Sequence, residues 1–284
     1  MSGTIGNDTL NGGSGEDIID GGAGNDKISG GSGADILDGG SGSDSLNGGS
    51  GNDTLIYNLS ENLGGGTTND VYTGGSGIDT VRIELTAAQW TSYDVQTQLA
   101  GYVHHLATVA RDPATGQVSN GIASDFVLTF GEATLKLQMT EKLEVFVNGV
   151  NVGDLNRPFV LVAVGSGAVI EDADETASPT DSMAASGTVD FIDLNWADTH
   201  SVAVTPPGSS TLGTLTANLA NASTGDGQGQ VSWAYALNDG ASQYLNMGQV
   251  KTETFTVTIT DNTGKSTTQA VTITITGTND VPVA

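Results

Sequence analysis

Cysteine is absent from the 284 residues. That excludes disulfide staples and thiolate metal sites. Cationic side chains are scarce: Lys and Arg number 8 against 33 Asp and Glu, a formal charge of -25. A chain this acidic repels nucleic acid and anionic membrane, so neither is expected as a partner, and its natural counter-partners are cations. Carboxylates in such excess also repel one another in a compact state unless something neutralises them. No apolar run is long enough to span a bilayer, so membrane insertion is not expected. Met1 is followed by Ser2-Gly3-Thr4-Ile5-Gly6 rather than by a basic start and an apolar stretch. No amino-terminal secretory signal is therefore expected. Aromatics are only 5% of the chain.

Glycine is plentiful, with 41 residues. Scattered glycine would suggest disorder, but here it falls at fixed spacing, which points to a repeat architecture. From Gly3 the chain runs in blocks of nine: GTIGNDTLN, GGSGEDIID, GGAGNDKIS, GGSGADILD, GGSGSDSLN and GGSGNDTLI. An irregular YNLSENLG follows, then GGTTNDVYT at 65 and GGSGIDTVR at 74. The repeat begins at residue 3, as expected of a segment of a longer protein. Column six is always aspartate: Asp8, Asp17, Asp26, Asp35, Asp44, Asp53, Asp70 and Asp79. Column eight is always apolar or aromatic: Leu10, Ile19, Ile28, Leu37, Leu46, Leu55, Tyr72 and Val81. Column four is glycine except at Thr68.

These columns have a physical reading. Glycine can take φ > 0 and leaves backbone carbonyls open to a ligand. Each aspartate adds a hard carboxylate oxygen, and Ca²⁺ takes about six to eight oxygens in a flexible shell. One apolar residue per block cannot fold a turn alone, but stacked turns line these residues into a thin internal column. Without metal, the aspartates repel and the small core does not offset the ordering entropy of glycine. The array is therefore expected to be disordered without Ca²⁺ and to fold on binding it.

The blocks resemble the RTX (repeats-in-toxin, haemolysin-type) nonapeptide G-G-x-G-x-D-x-U-x. The resemblance implies a parallel β-roll over residues 1–82. It implies Ca²⁺ held by the column-six aspartates together with glycine carbonyls of the same and neighbouring turns. The glycines implied are Gly6, Gly13, Gly15, Gly22, Gly24, Gly31, Gly33, Gly40, Gly42, Gly49, Gly51, Gly75 and Gly77. Gly3-Thr4 and Gly66-Thr67-Thr68 depart from the pattern, so the blocks at 3 and 65 are expected to be edge or partial sites.

Residues 83–157 read as a small α+β segment that caps the open end of the roll. Thr86 with Gln89 three residues on has the form of a capping box. Val95, Leu99, Val103, Leu106 and Ala110 follow at helical spacing, and Asp112-Pro113 stops that helix. Phe126, Leu128 and Phe130, then Leu135, Leu137 and Met139, then Leu143, Val145 and Val147 alternate as strands. Asn148-Gly149 is a strong hairpin signal.

Residues 158–284 read as all-β. Val231, Trp233, Tyr235 and Leu237 alternate with small or polar residues. Phe255, Val257 and Ile259 face Val271, Ile273 and Ile275 across an Asp261-Asn262-Thr263-Gly264 turn. The run from Ser232 to the end resembles the VCBS repeat, a cadherin-like β-sandwich found in tandem in large bacterial adhesins. The resemblance rests on Trp233, Tyr235, Leu237, Gln243, Leu245, Gly248, Thr252, FTVTITD at 255–261 and TGTND at 276–280, and more loosely on VIEDAD at 169–174 and SGTVDFIDLNWADTH at 186–200. It implies inter-module Ca²⁺ ligands at Glu171, Asp172, Asp193, Asn279 and Asp280. The same residues also suit turns and caps on a solvated end.

Signals for catalysis fail one by one. No HExxH occurs. The GGSGx blocks never have glycine fifth, so they are not nucleophile elbows. Gly264-Lys265-Ser266 lacks the earlier glycine of a phosphate loop, since Ile259 stands there. His104-His105 are adjacent on a helix and do not share a face. Asp112-Pro113 resembles the bond cut in calcium-triggered self-processing modules, but reads as a helix stop. The chain is not expected to be an enzyme. The leading expectation is a calcium-binding structural or adhesive segment of a secreted or surface RTX protein. It would be exported unfolded by a type I route and fold outside, where Ca²⁺ is about millimolar. Its partners would be calcium, neighbouring modules of a longer chain, and a cell-surface or matrix ligand. The alternative is the non-catalytic tail of a secreted protease, lipase or polysaccharide-modifying enzyme; an upstream catalytic domain would favour it.

Overall fold

The structure, a computed structural model, describes residues 1–63, 66–118, 125–171, 183–225 and 227–278. It is mainly β and divides into two compact units, Met1–Leu155 and Asn156–Ala284. No helix among the described residues is long and apolar enough to cross a membrane.

In the first unit the repeats give short strands: β1 (Thr9–Ser14), β2 (Ile18–Asp20), β3 (Lys27–Ser32), β4 (Ile36–Asp38), β5 (Ser45–Ser50), β6 (Thr54–Asn58), β7 (Thr68–Ser76) and β8 (Thr80–Leu85). Successive strands alternate between two sheets, with odd-numbered ones in one and even-numbered ones in the other. Each sheet is parallel here, because every second block returns to the same side. The column-eight residues fall in register: Leu10, Ile28, Leu46 and Tyr72 in one sheet, and Ile19, Leu37, Leu55 and Val81 in the other. From Ile19 onward these side chains are buried, and they form the thin column that the pattern predicts.

The repeat distance along a sheet is 18 residues until the irregular segment stretches it to 26. The extra residues leave the coil as α1 (Leu59–Asn62), capped by Asn58, whose Oδ1 accepts from the Ser60 N–H. Tyr57 of β6 lies inside the core, edge-on to Tyr72 and stacked on Phe130.

The chain then makes α2 (Ala87–Trp90), α3 (Tyr93–Thr108), β9 (Phe126–Phe130), β10 (Ala133–Gln138), β11 (Lys142–Val147) and β12 (Val150–Asn151). The Thr86–Gln89 capping box forms, but it caps α2, and a break at Thr91-Ser92 starts α3 separately. α3 ends at Thr108, ahead of Asp112, which instead caps a turn through the N–H groups of Ala114 and Thr115. β10 adds in parallel to β7, and β11 adds in parallel to β8. Antiparallel β9 and β12 then close the two rows, β12 through Asn148-Gly149, both at positive φ.

The second unit has β13 (Phe159–Ala163), β14 (Ser166–Ile170), β15 (Ala184–Ile192), β16 (His200–Thr205), β17 (Gly213–Ala222), β18 (Gln228–Leu237), α4 (Asp239–Ser242), β19 (Val250–Asp261) and β20 (Ser266–Thr276). They form two four-stranded sheets, β13-β15-β18-β17 and β14-β20-β19-β16. Pairing is antiparallel except for β14 with β20. The sheets share one core, in which Val231, Trp233 and Tyr235 from one meet Phe255, Val257, Ile259, Val271, Ile273 and Ile275 from the other. Threonines fill the alternate positions of the β19–β20 hairpin, as period-two patterning requires.

Candidate metal centre

The aspartates of column six stack into two files, one per row of loops. In the first, the Asp8 N–H donates to Asp26 Oδ1 at 2.7 Å, Asp26 to Asp44 at 2.8 Å and Asp44 to Asp70 at 2.8 Å. In the second, Asp17 donates to Asp35 at 2.8 Å, Asp35 to Asp53 at 2.9 Å and Asp53 to Asp79 at 2.8 Å. One carboxylate oxygen thus ties each loop to its neighbour. The other is left over. Oδ2 of Asp17, Asp26, Asp35, Asp44, Asp53, Asp70 and Asp79 is buried and has no hydrogen-bond partner. A buried oxygen that carries negative charge and has no partner is costly, and it calls for a cation.

Asp8 differs. Its Oδ2 accepts from Thr4 N–H and Thr4 Oγ1 at 2.6 and 2.8 Å. The residue that breaks the first block thereby occupies the oxygen that is free in the other blocks. The block at 65 keeps a free Oδ2 on Asp70 despite Thr67-Thr68.

The glycines shape the space around these oxygens. The second- and fourth-column glycines named from the sequence all have positive φ, except Gly6. Gly31 and Gly33 show why: at φ 110 and 132 a Cβ would also stand 2.2 and 2.1 Å from the carbonyl oxygens of Gly13 and Gly15. The first-column glycines were not singled out from the sequence, and they matter most for the cage. A Cβ on Gly12 would lie 2.6 Å from both Asp17 Oδ2 and the Gly30 carbonyl oxygen of the next turn. The same convergence recurs at Gly21 with Asp26 and Gly39, at Gly30 with Asp35 and Gly48, and at Gly48 with Asp53 and Gly74. Free carboxylate oxygens and peptide carbonyls therefore meet in gaps that only glycine leaves open. The signal was present in the alignment, because column one is glycine in every block.

The second file continues beyond the repeats. The Asp79 N–H donates to Glu141 Oε2 at 2.8 Å, and at Gly74 the Asp79 Oδ2 meets the Met139 carbonyl. Neither Glu141 nor Met139 belongs to a block.

Burial raises Asp44, Asp70 and Asp79 from the ordinary 3.8 to about 7, and Asp38 to about 6, with nearby carboxylates adding to the effect. Asp53 moves in the same direction for the same reason. The donor set is all oxygen, carboxylate plus carbonyl, which is the chemistry of Ca²⁺ rather than of a soft metal. It fits that ion, which would supply positive charge to the seven free oxygens and cross-link consecutive loops.

Of the ligands expected in the second unit, the two that are described, Glu171 and Asp193, lie at opposite ends of β19. Glu171 follows β14 and accepts from Thr278 N–H at 3.2 Å, beside the Val250 end of β19. Asp193 lies near Asp261, at the other end of β19. Asp172, Asn279 and Asp280 lie outside the described residues. His104 is exposed on α3, while His105 stacks beside Tyr102 and Phe126.

None of the curated proteins matches the chain. A family model does: the RTX calcium-binding nonapeptide repeat, in four copies, matches residues 2–37, 21–55 and 64–82. Those residues include all eight aspartates of the two files. The chain therefore carries RTX calcium-binding repeats over its first part, and the ion they bind is Ca²⁺.

Proposed function

We propose that this chain is a calcium-folded structural segment of a secreted or surface-exposed RTX protein. Residues 1–82 are its parallel β-roll, 83–157 the α+β segment that caps the roll, and 158–284 a cadherin-like β-sandwich of the VCBS type. The role is mechanical and adhesive rather than catalytic. The array stays open where Ca²⁺ is scarce, crosses the envelope as a flexible chain, and closes outside.

The observation that carries this reading is the set of seven buried, unpartnered Oδ2 atoms in register along two files. A thin core and a high glycine content give the array little to offset their repulsion. Metal binding free energy then acts as folding free energy. The specific ligands are the column-six aspartates with first-column carbonyls.

Far-UV circular dichroism of the full chain, titrated with Ca²⁺ and reversed with EDTA, tests the reading. A cooperative gain of β signal on Ca²⁺ and its loss on chelation are expected. A spectrum indifferent to both would overturn it.

A further inference from the structure

We propose that Asn62, which belongs to no block, lends its side-chain oxygen to the Ca²⁺ held between the loops that carry Asp44 and Asp70. This deepens the reading that the files bind Ca²⁺ and rests on it. Along the first file, the column-two carbonyl of one loop accepts from the column-three N–H of the next: Thr4 from Ala23 at 3.1 Å, and Gly22 from Ser41 at 2.9 Å. The following carbonyl in that series is Gly40, where the irregular segment leaves the coil. There the donor is Asn62 Nδ2, at 3.4 Å. On its other side the Asn62 carbonyl accepts from Thr68 Oγ1 at 3.3 Å. Thr68 is the one column-four residue that is not glycine, and this bond gives its hydroxyl a use. Asn62 therefore stands between the two loops and is bonded to both. Further along, the same loops join directly, Asn69 N–H to Ser43 Oγ at 3.0 Å and Asp44 N–H to Asp70 Oδ1 at 2.8 Å.

The neighbours of the Asn62 amide settle which end is oxygen. Nδ2 faces two carbonyls, those of Gly40 and of Asn58 at 3.2 Å, and only an N–H end suits both. Oδ1 is the opposite end. It is buried, on a residue only 1% exposed, and accepts no hydrogen bond. A buried amide oxygen without a donor is costly, and the bonds on either side of Asn62 keep it from turning away to find one. Oδ2 of Asp44 and Oδ2 of Asp70, from the two loops that Asn62 bridges, are likewise buried and unpartnered.

The hydroxyls of Tyr57 and Tyr72 are also buried without partners, and burial followed by the charge of Asp70 pushes both up. Unsatisfied oxygens thus collect around the interruption. Ca²⁺ takes about six to eight oxygens, amide oxygens among them, so one ion can serve both carboxylates and Asn62 Oδ1. The irregular segment then lengthens the coil without breaking the file, because it brings a ligand of its own.

Calorimetry on the full chain with two variants separates the side-chain oxygen from the side-chain nitrogen. Asn62→Ala removes both. It should bind one Ca²⁺ fewer than the parent, or bind one about tenfold or more weakly, the least that losing even an outer partner of a ligand costs. Asn62→Asp loses the Nδ2 donor but keeps an oxygen and adds charge, so it should keep the parent's ion count. If the aspartate variant loses the ion as the alanine variant does, Asn62 is only a bonded wedge, and the proposal is overturned. An alanine variant with the parent's count and affinities overturns it as well. A parent that binds no Ca²⁺ overturns the reading on which the proposal rests, and the proposal with it. Should the alanine variant not fold, anomalous scattering from Ca²⁺-loaded crystals of the parent decides. A peak within about 2.3–2.6 Å of Asn62 Oδ1 is expected, and an ion between Asp44 and Asp70 that leaves this oxygen outside its shell overturns the proposal.

Discussion

The N–H of Asp79 donates to Glu141 Oε2 at 2.8 Å, in the place that the next aspartate Oδ1 fills on every earlier turn. Glu141 comes from 62 residues further along and belongs to no block. Its other oxygen accepts from Val118 N–H at 2.7 Å. Met139 completes the imitation: its carbonyl stands where a first-column glycine carbonyl stands elsewhere, and its own φ is 50. The segment between β10 and β11 thus copies a repeat loop without its sequence, and gives the file an end that is not bare.

Glu141→Ala should leave two buried N–H groups without acceptors. A cost of about 2–6 kcal/mol is expected, at about 1–3 for each. Glu141→Gln keeps one acceptor and should cost about 1 kcal/mol. Thermal unfolding in saturating Ca²⁺ measures both. Equal stability of the alanine variant and the parent would contradict the capping role.

Asp53→Asn keeps an acceptor for the Asp35 N–H and removes charge at the free Oδ2. In EDTA it should be neutral or mildly stabilising, because repulsion falls. In calorimetry it should bind at least one Ca²⁺ fewer per chain. Unchanged stoichiometry would exclude Asp53 as a ligand.

Gly48→Ala should damage the array. Its Cβ would stand 2.3 Å from Asp53 Oδ2 and 2.5 Å from the Gly74 carbonyl. A loss of about 1–3 kcal/mol and a weaker Ca²⁺ midpoint are expected. Gly208→Ala is the control, since nothing lies within 4 Å of its added Cβ. It should change stability by less than about 0.5 kcal/mol.

The response to pH should reverse sign with metal. In the folded, metal-free array Asp44, Asp70 and Asp79 titrate at about 7, against 3.8 ordinarily. Between those values the folded form holds protons that an unfolded chain has released, so its stability falls as pH rises through the window. In EDTA the β signal should grow as pH drops from about 7.5 to 5. In Ca²⁺, protons compete with the ion, and stability should fall over the same range. Circular dichroism melts in the two conditions check this; parallel trends would contradict it.

The repeat unit was legible because it is local. A nine-residue period puts the aspartate, the apolar residue and the glycines in fixed columns, and the sheets keep those columns in register. The residues that close the site were not legible. Glu141 meets Asp79 through strand order rather than spacing, and Met139 contributes a carbonyl, which no side-chain pattern reveals. The break between α2 and α3 was missed because Thr91 and Ser92 interrupt a continuous apolar stripe. In the second unit, Asp193 was named with residues of the TGTND end, but its neighbours Asp198 and Asp261 are brought to it by the loop that leads into β16 and by the β19–β20 hairpin, whose β19 pairs with β16.

Diffraction from crystals of the Ca²⁺-loaded chain, with anomalous scattering from the ion, is the most direct test. A peak should lie within about 2.3–2.6 Å of both Asp53 Oδ2 and the Gly74 carbonyl oxygen, with equivalents along both files. Loops that stay empty at saturating Ca²⁺ would contradict the claim that these oxygens exist to hold it.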